Sequence, residues 1–330
     1  MPSKMMIAAA GGAVVVGAGL WFYKQQQEKE RLAKAQQAFC FIKPHAVTPK
    51  VIALSKDMLT RAGITITGEG ELTAETIDSK RLIDTHYGAI AKRAVVQKPS
   101  ELTVPKKAQD AFKKTFGLDW ASAVAGGQVY NATEACAKLG LDGAGLDAEW
   151  SKLKRNVDLL KFGGGFYCGK VKGIYVMNGF YMAMRGAYTE PGKKIYWFTL
   201  DFPEDKLSWA DFRGKVLGAT NPEEAEAGSV RRQILEDWQG LGLAARPDTG
   251  DNGVHASASP FEGLAERLNW LGATVEGDAY GAALLEAGVP KPTVVEWTTD
   301  PVVAGGSLFD ALEDLDRTEC LRKAVTLVGK

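Results

Sequence analysis

Apolar and polar positions along this chain change period from segment to segment, and the changes mark out elements. The run AFCFI, Ala38 to Ile42, is continuously apolar and reads as a buried strand ending at Lys43-Pro44. Thr48 then supplies an N-cap, Pro49 the first helical position and Gly63 a C′ glycine, with Val51, Ser55, Met58 and Ala62 at helical spacing between them. Ile64 and Ile66 alternate with Thr65 and Thr67 through ITITGEGEL, the period of a half-buried strand, and a polar helix is predicted from about Thr76 to Tyr87. Dense aromatic and β-branched residues return in KIYWFTLDF, Lys194 to Phe202, as in a central strand. Ser208 opens the helical stretch SWADFRGKVLG. Gly218 to Gly250 is rich in turn residues, with one helical piece around Arg231 to Trp238. NGVHAS reads as a short strand. Ser259-Pro260-Phe261-Glu262 behind it is a capping box opening a helix with the apolar stripe Phe261, Leu264, Leu268 and Leu271.

Between Ala89 and Lys193 lies an insertion with helical patterns of its own, Ala108, Ala111, Phe112 and Phe116 in one and Trp150, Leu153, Val157 and Leu160 in another. Without that insertion and the extra short helix, the order of elements is βαββαβ, the pattern of a ferredoxin-like sandwich in the mixed α/β (α+β) class. The chain therefore divides into residues 1–37, a domain over 38–272 interrupted at about 89–193, and a C-terminal extension over 273–330.

Composition narrows the picture. With 45% hydrophobic and 24% charged residues among 330, the chain has enough core formers to fold. Lys+Arg 40 against Asp+Glu 40 leaves no long-range field to capture nucleic acid, while permitting a local basic pocket. Four widely spaced cysteines without a C-x-x-C pair argue against a disulfide scaffold or a cysteine zinc site. From Met5 to Tyr23 the sequence is uncharged and about long enough to span a hydrocarbon core, with Trp21, Phe22 and Tyr23 at its edge. A single-pass anchor is the reading preferred over a cleaved targeting segment or a buried helix. Lys24, Lys29, Arg31 and Lys34 behind it place the large domain on the cytosolic, matrix or stromal side of a membrane, an organellar one included.

Chemistry has few candidates among three histidines. His255 is the most telling, on a strand just before a well-capped helix N-terminus; an imidazole nitrogen there can attack phosphorus and hold the phosphoryl group covalently. Glu266, eleven residues on, could accept the N–H of the other ring nitrogen and fix the tautomer.

Three segments in order, FIKPHAV, NPEEAEAGSVRRQ and GDNGVHASASP, resemble the motifs of nucleoside diphosphate kinases: an IKPD-type strand end, a TNP loop followed by a P-G-[TS]-[IV]-R segment, and an N-x-x-H-[GA]-S-[DA]-S signature. The resemblance covers about Ala38 to Tyr87 and Tyr196 to Leu271. It implies the family fold and a ping-pong transfer of the γ-phosphate from a nucleoside triphosphate to a diphosphate through phospho-His255, with Mg2+ carried by the nucleotide and a homo-oligomer as the assembly. By matching positions, Glu266 and Ser257 surround the catalytic histidine, and Lys43, Tyr87, Thr220, Arg231 and Asn252 contact nucleotide or phosphate. A family arginine falls on Gly214, leaving Arg213 as the candidate phosphate contact. His45 and Ala258 stand where the motifs carry aspartates. The aromatic that stacks the base falls in the interrupted region, with Phe166 as its candidate. These departures, the anchor and the amphipathic tail GSLFDALEDLDRTECLRKAV keep a second reading open, a weak or inactive accessory subunit of a membrane complex whose tail docks on a partner.

Two motifs are set aside. Gly164 to Lys170 has the spacing of a phosphate loop but Val171 where Ser or Thr should follow, and Asn131-Ala132-Thr133 is a formal glycosylation sequon on the wrong side of the predicted membrane.

Overall fold

Residues 35–329 are described by a computed structural model. The anchor assigned to residues 5–23 lies outside the described residues; among those described, no helix is long and apolar enough to cross a membrane.

Strand β1 (Ala35–Ile42) is almost wholly buried, as its unbroken apolar run requires. Helix α1 (Pro49–Arg61) follows, capped by Thr48, whose side chain accepts from Val51 N–H, and strand β2 (Thr65–Thr73) comes next with alternating burial. The helix predicted over Thr76 to Tyr87 is two pieces, α2 (Ala74–Ser79) and α3 (Leu82–His86), broken where Arg81 takes φ 53°. Nor is it polar all round, since Ile77, Leu82 and Ile83 are buried.

The insertion has its own sheet and cores. It contains α4 (Lys106–Phe116), β3 (Val129–Asn131), α5 (Ala132–Leu139), α6 (Gly143–Trp150), β4 (Leu159–Gly163), β5 (Phe166–Val171) and β6 (Ile174–Met177). The strands run in the order β3-β6-β5-β4, with β3 parallel to β6. Ala108 and Phe112 of α4 are buried as the pattern predicted. The second predicted helix fails, because α6 stops at Trp150, Val157 is 58% exposed and Leu160 belongs to β4. The phosphate-loop spacing falls on the β4–β5 hairpin, a strand-to-strand turn with no helix behind it. Asn131 of the sequon is buried, its side chain capping α5 by accepting from Glu134 N–H.

Helix α7 (Tyr181–Thr189) leads back to the first sheet, where β7 (Lys194–Pro203), α8 (Val230–Glu236), β8 (Val254–Ala256) and α9 (Pro260–Leu271) follow. The strands lie in the order β2-β7-β1-β8, each neighbouring pair antiparallel. That is a mixed α+β architecture with βαββαβ connectivity around the insertion. Ser208 starts a short helix, Trp209–Asp211, that continues as a π-helical turn over Phe212–Leu217. Ser259 caps α9 by accepting from Glu262 N–H, with Pro260 at its first turn.

The C-terminal extension corrects one expectation. Its helices α10 (Ala279–Glu286), α11 (Lys291–Trp297), α12 (Leu308–Leu312) and α13 (Arg317–Leu327) share a core with Phe261 and Leu264 of α9. Leu308, Leu312, Cys320 and Ala324 are buried there, so the tail spends its apolar face on its own chain instead of a partner. Asp316 accepts from Gln36 Nε2 at 2.8 Å and Trp209 N–H at 2.6 Å, which fixes the segment before α13 beside β1.

Candidate functional site

His255 lies on β8 opposite Phe41 of β1, their rings 4.8 Å apart. Two glycines shape its surroundings. Gly253 takes φ 88°, and a Cβ there would come within 2.8 Å of Ile234; Gly263 lets α9 approach β1 so closely that a Cβ would meet the Gln37 carbonyl at 2.6 Å. The close packing of α9 carries Glu266 to the histidine. Glu266 Oε1 stands 2.5 Å from His255 Nε2, while Oε2 is 2.6 Å from Ser257 Oγ, which also accepts from Phe39 N–H at 2.9 Å. Burial pushes the Glu266 carboxyl up, but His255, His86 and the Ser257 hydroxyl outweigh it and hold it below the ordinary carboxylate value. An ionised Glu266 accepts from Nε2–H, which leaves the lone pair of His255 on Nδ1.

A cavity of about 460 Å3 opens beside His255, and it brings together Lys43, Arg213, Thr220, Arg231 and Asn252 on its wall. Arg231 is held by backbone carbonyls, donating from Nη1 to Gly218 at 2.6 Å and from Nη2 to Val254 at 3.0 Å. Burial, with Arg213 nearby, brings its pKa down to about 10, so it stays cationic at neutral pH. Lys43 donates from Nζ to the Gly250 carbonyl at 2.8 Å, and burial together with Arg231 lowers its pKa to about 8. Asn252 is buried and donates to the Thr220 carbonyl at 3.0 Å, so it ties the two loops together, while its Oδ1 has no hydrogen-bond partner among the described residues. His45, standing where the resembled motif has aspartate, accepts Gly253 N–H at Nε2 and faces Asp251 at 3.3 Å through Nδ1. It thereby holds the loop that leads into β8.

Three placements depart from the sequence-based assignment. Tyr87 is absent from this wall; it meets Tyr188 of α7 and lines a second cavity of about 220 Å3 that His255 also borders. Arg213 faces the first cavity but is taken by the extension, with Nη1 at 2.7 Å from Glu313 Oε1 and 2.6 Å from Asp314 Oδ1. The segment is pinned there by Asp314 N–H donating to the Ala258 carbonyl at 3.0 Å. Gly214 beside it opens onto empty space. Phe166 is buried in the core of the insertion with the Arg93 guanidinium 4.6 Å over its ring, and so cannot stack a base in this cavity. Among the described residues, the cavity wall carries no aromatic side chain apart from His255.

Sequence reasoning passed over two more residues. Glu262 lines both cavities, and burial with Glu266 nearby raises its pKa to about 8. His86 stands beside Glu266 and presents its ring edge to His255 at 4.7 Å; burial, with His255 nearby, lowers its pKa to about 3. The adjacent Tyr87 was the only local signal for it.

No family model matches the chain, and no curated protein matches it. Among solved structures it is similar to a nucleoside diphosphate kinase from Encephalitozoon cuniculi, at 13% identity over 72% of this chain and 90% of that one, with a TM-score of 0.35. An NDP kinase from Pyrobaculum aerophilum is 14% identical over 72% of this chain and 95% of that one, with a TM-score of 0.32. A nucleoside-diphosphate kinase from Borrelia burgdorferi, with bound vanadate and ADP, is 14% identical over 72% and 87%, also at 0.32. Overlap at this level decides nothing about chemistry, which has to be argued from the site's own residues.

Proposed function

We propose that this protein is a phosphotransferase of the nucleoside diphosphate kinase kind, passing a γ-phosphoryl group through His255. One observation carries the reading: a histidine whose Nε2 is held by a buried carboxylate stands on the wall of a cavity that also bears Lys43, Arg231 and Thr220. His255 Nδ1 would attack the γ-phosphorus of a nucleoside triphosphate. The bond to the bridging oxygen breaks, and the diphosphate leaves with that electron pair. A second diphosphate then attacks the phosphohistidine through its terminal oxygen, and the imidazole leaves neutral at Nδ1. Lys43 and Arg231 supply charge for the phosphate oxygens, and the ionised Glu266 offsets the positive charge that develops on the ring. The Thr220 hydroxyl is a hard oxygen donor on this wall, where magnesium arriving on the nucleotide would neutralise the phosphates. The apolar residues 5–23 would tether this domain to a membrane, which alkaline extraction of the full chain from membranes tests.

The test is incubation of the full chain with labelled ATP and magnesium. Label that is acid-labile and base-stable, leaves on adding a nucleoside diphosphate and is absent in His255→Ala is the expected result. The occupied Arg213 and the lack of an aromatic on the wall favour a second reading, an accessory subunit of a membrane complex. A folded chain that takes no label selects that one.

A further inference from the structure

We propose that His86, His255 and Glu266 form a binding site for a divalent transition-metal ion of the zinc class, entered from the smaller cavity, whose occupation keeps His255 from accepting a phosphoryl group.

The ligand atoms of these three residues lie within 4.8 Å of one another. Two imidazoles and a carboxylate are a donor set that protein zinc sites use when they keep a fourth position open. A tetrahedral ion bound at about 2.0–2.1 Å holds its ligand atoms roughly 3.3 Å apart. His86 Nδ1 stands 3.4 Å from Glu266 Oε1, which meets that separation and is longer than an ordinary N–H···O bond. The 2.5 Å contact between His255 Nε2 and the same oxygen is a hydrogen bond, and it would open by under an ångström as metal replaces its proton.

His86 has a buried ring with no hydrogen bond of normal length among the described residues, so its nitrogen is a ligand without other employment. The carboxylate is oriented from behind, since Ser257 engages Oε2 and leaves Oε1 toward the two rings. Phe41 and Trp270 pack against the imidazoles and fix their planes. The cavity of about 220 Å3, lined also by Thr85 and Asn269, gives the ion an entry path and room for a water at the fourth position. Nitrogen donors favour zinc, cobalt, nickel or copper over magnesium and calcium.

Coordination has a chemical consequence. The ion takes the Nε2 lone pair of His255 and the Nδ1 lone pair of His86, so each neutral ring keeps its one proton on the opposite nitrogen. For His255 that nitrogen is Nδ1, and a protonated Nδ1 cannot attack phosphorus. Bound metal would then block phosphorylation of His255; this clause rests on the phosphotransfer reading, whereas the metal site itself does not.

The test uses the purified, metal-free full chain and no nucleotide. Titration with Co2+ should give the intense absorption of a tetrahedral site at one equivalent, and Zn2+ should displace it. His86→Gln, which keeps the side-chain bulk, and His86→Ala should each weaken Zn2+ binding about tenfold or more. Only weak octahedral cobalt absorption, or unchanged Zn2+ affinity in His86→Gln, overturns the site. If His86→Ala does not fold, His86→Gln alone decides. In the labelling assay Zn2+ should suppress phospho-His255 in the unmodified chain and much less in His86→Gln. A chain that binds Zn2+ through His86 and never takes label keeps the metal site and loses the phosphotransfer reading; one that takes label but binds no Zn2+ does the reverse.

Discussion

The two walls of the larger cavity meet at His255 and are built in different ways. On one, β8 carries His255 with Glu266 of α9 and Ser257 bonded behind it, and Arg231 of α8 donates to the Val254 carbonyl of β8. On the other, Arg213 is met by Glu313 and Asp314 from the C-terminal extension, and Gly214 leaves open space. The contrast separates two tasks. The carboxylate contact of the histidine is made within the core of the sheet and α9, whereas the guanidinium on the other wall is engaged by a later segment of the chain.

The largest effect should come from breaking the first wall. In Glu266→Gln the neutral amide no longer offsets charge on the His255 ring, and the rate of phosphohistidine formation should fall about 100-fold, read by quenched-flow labelling. An unchanged rate would remove the carboxylate from the mechanism and leave the two walls equivalent.

The joint between the walls is a buried ion pair. Arg267 of α9 donates from Nε to Asp278 Oδ2 at 2.7 Å and from Nη1 to the Gln37 carbonyl at 2.7 Å, linking the sheet, α9 and the cap of α10. Burial raises the Asp278 carboxyl, but Arg267 outweighs it and holds it below its ordinary value. Arg267→Met strands that carboxylate and should cost about 3–5 kcal/mol in denaturant unfolding. A much smaller loss would mean that the extension is fastened by its apolar core alone.

How far these walls could be read from the sequence follows the same division. Local signals announced the first: the apolar run of β1, the Thr48 and Ser259 caps, and the spacing from His255 to Glu266 that a capped helix converts into contact. The second wall depends on contacts between distant parts of the chain. Nothing around Glu313 or Asp314 indicates that they reach Arg213, about a hundred positions earlier, because the link is made by the extension packing on α9 and by Asp316 accepting from Trp209 N–H. The break at Arg81 and the strand at Leu160 were missed for a related reason, since tertiary contacts of Leu82 and Leu160 override a helical pattern. His86 was hidden because its meaning lies in Glu266, across the fold.

A smaller effect, about tenfold, tests whether Lys43 works with the first wall. Burial and Arg231 lower its pKa to about 8, so the free protein carries this charge below that pH and loses it above. Affinity for a nucleoside diphosphate, measured by calorimetry, should therefore fall about tenfold from pH 7 to pH 9 as the protonated fraction drops. Lys43→Met should bind weakly at both and flatten the dependence. A profile that stays steep in Lys43→Met would assign the titration to another group.

The smallest effect should come from lifting the acids of the second wall. Glu313 and Asp314 are about half exposed, so water and salt screen their attraction for Arg213, whose own burial disfavours the charge they restore. In Glu313→Ala/Asp314→Ala the guanidinium would be free to turn to a phosphate, and two negative charges would leave the cavity wall. Diphosphate affinity should rise about threefold to tenfold, more at low salt than at high, while the pH dependence due to Lys43 stays in place. If affinity falls instead, the two carboxylates take part in receiving the nucleotide, through its metal, and the extension belongs to the site instead of covering it.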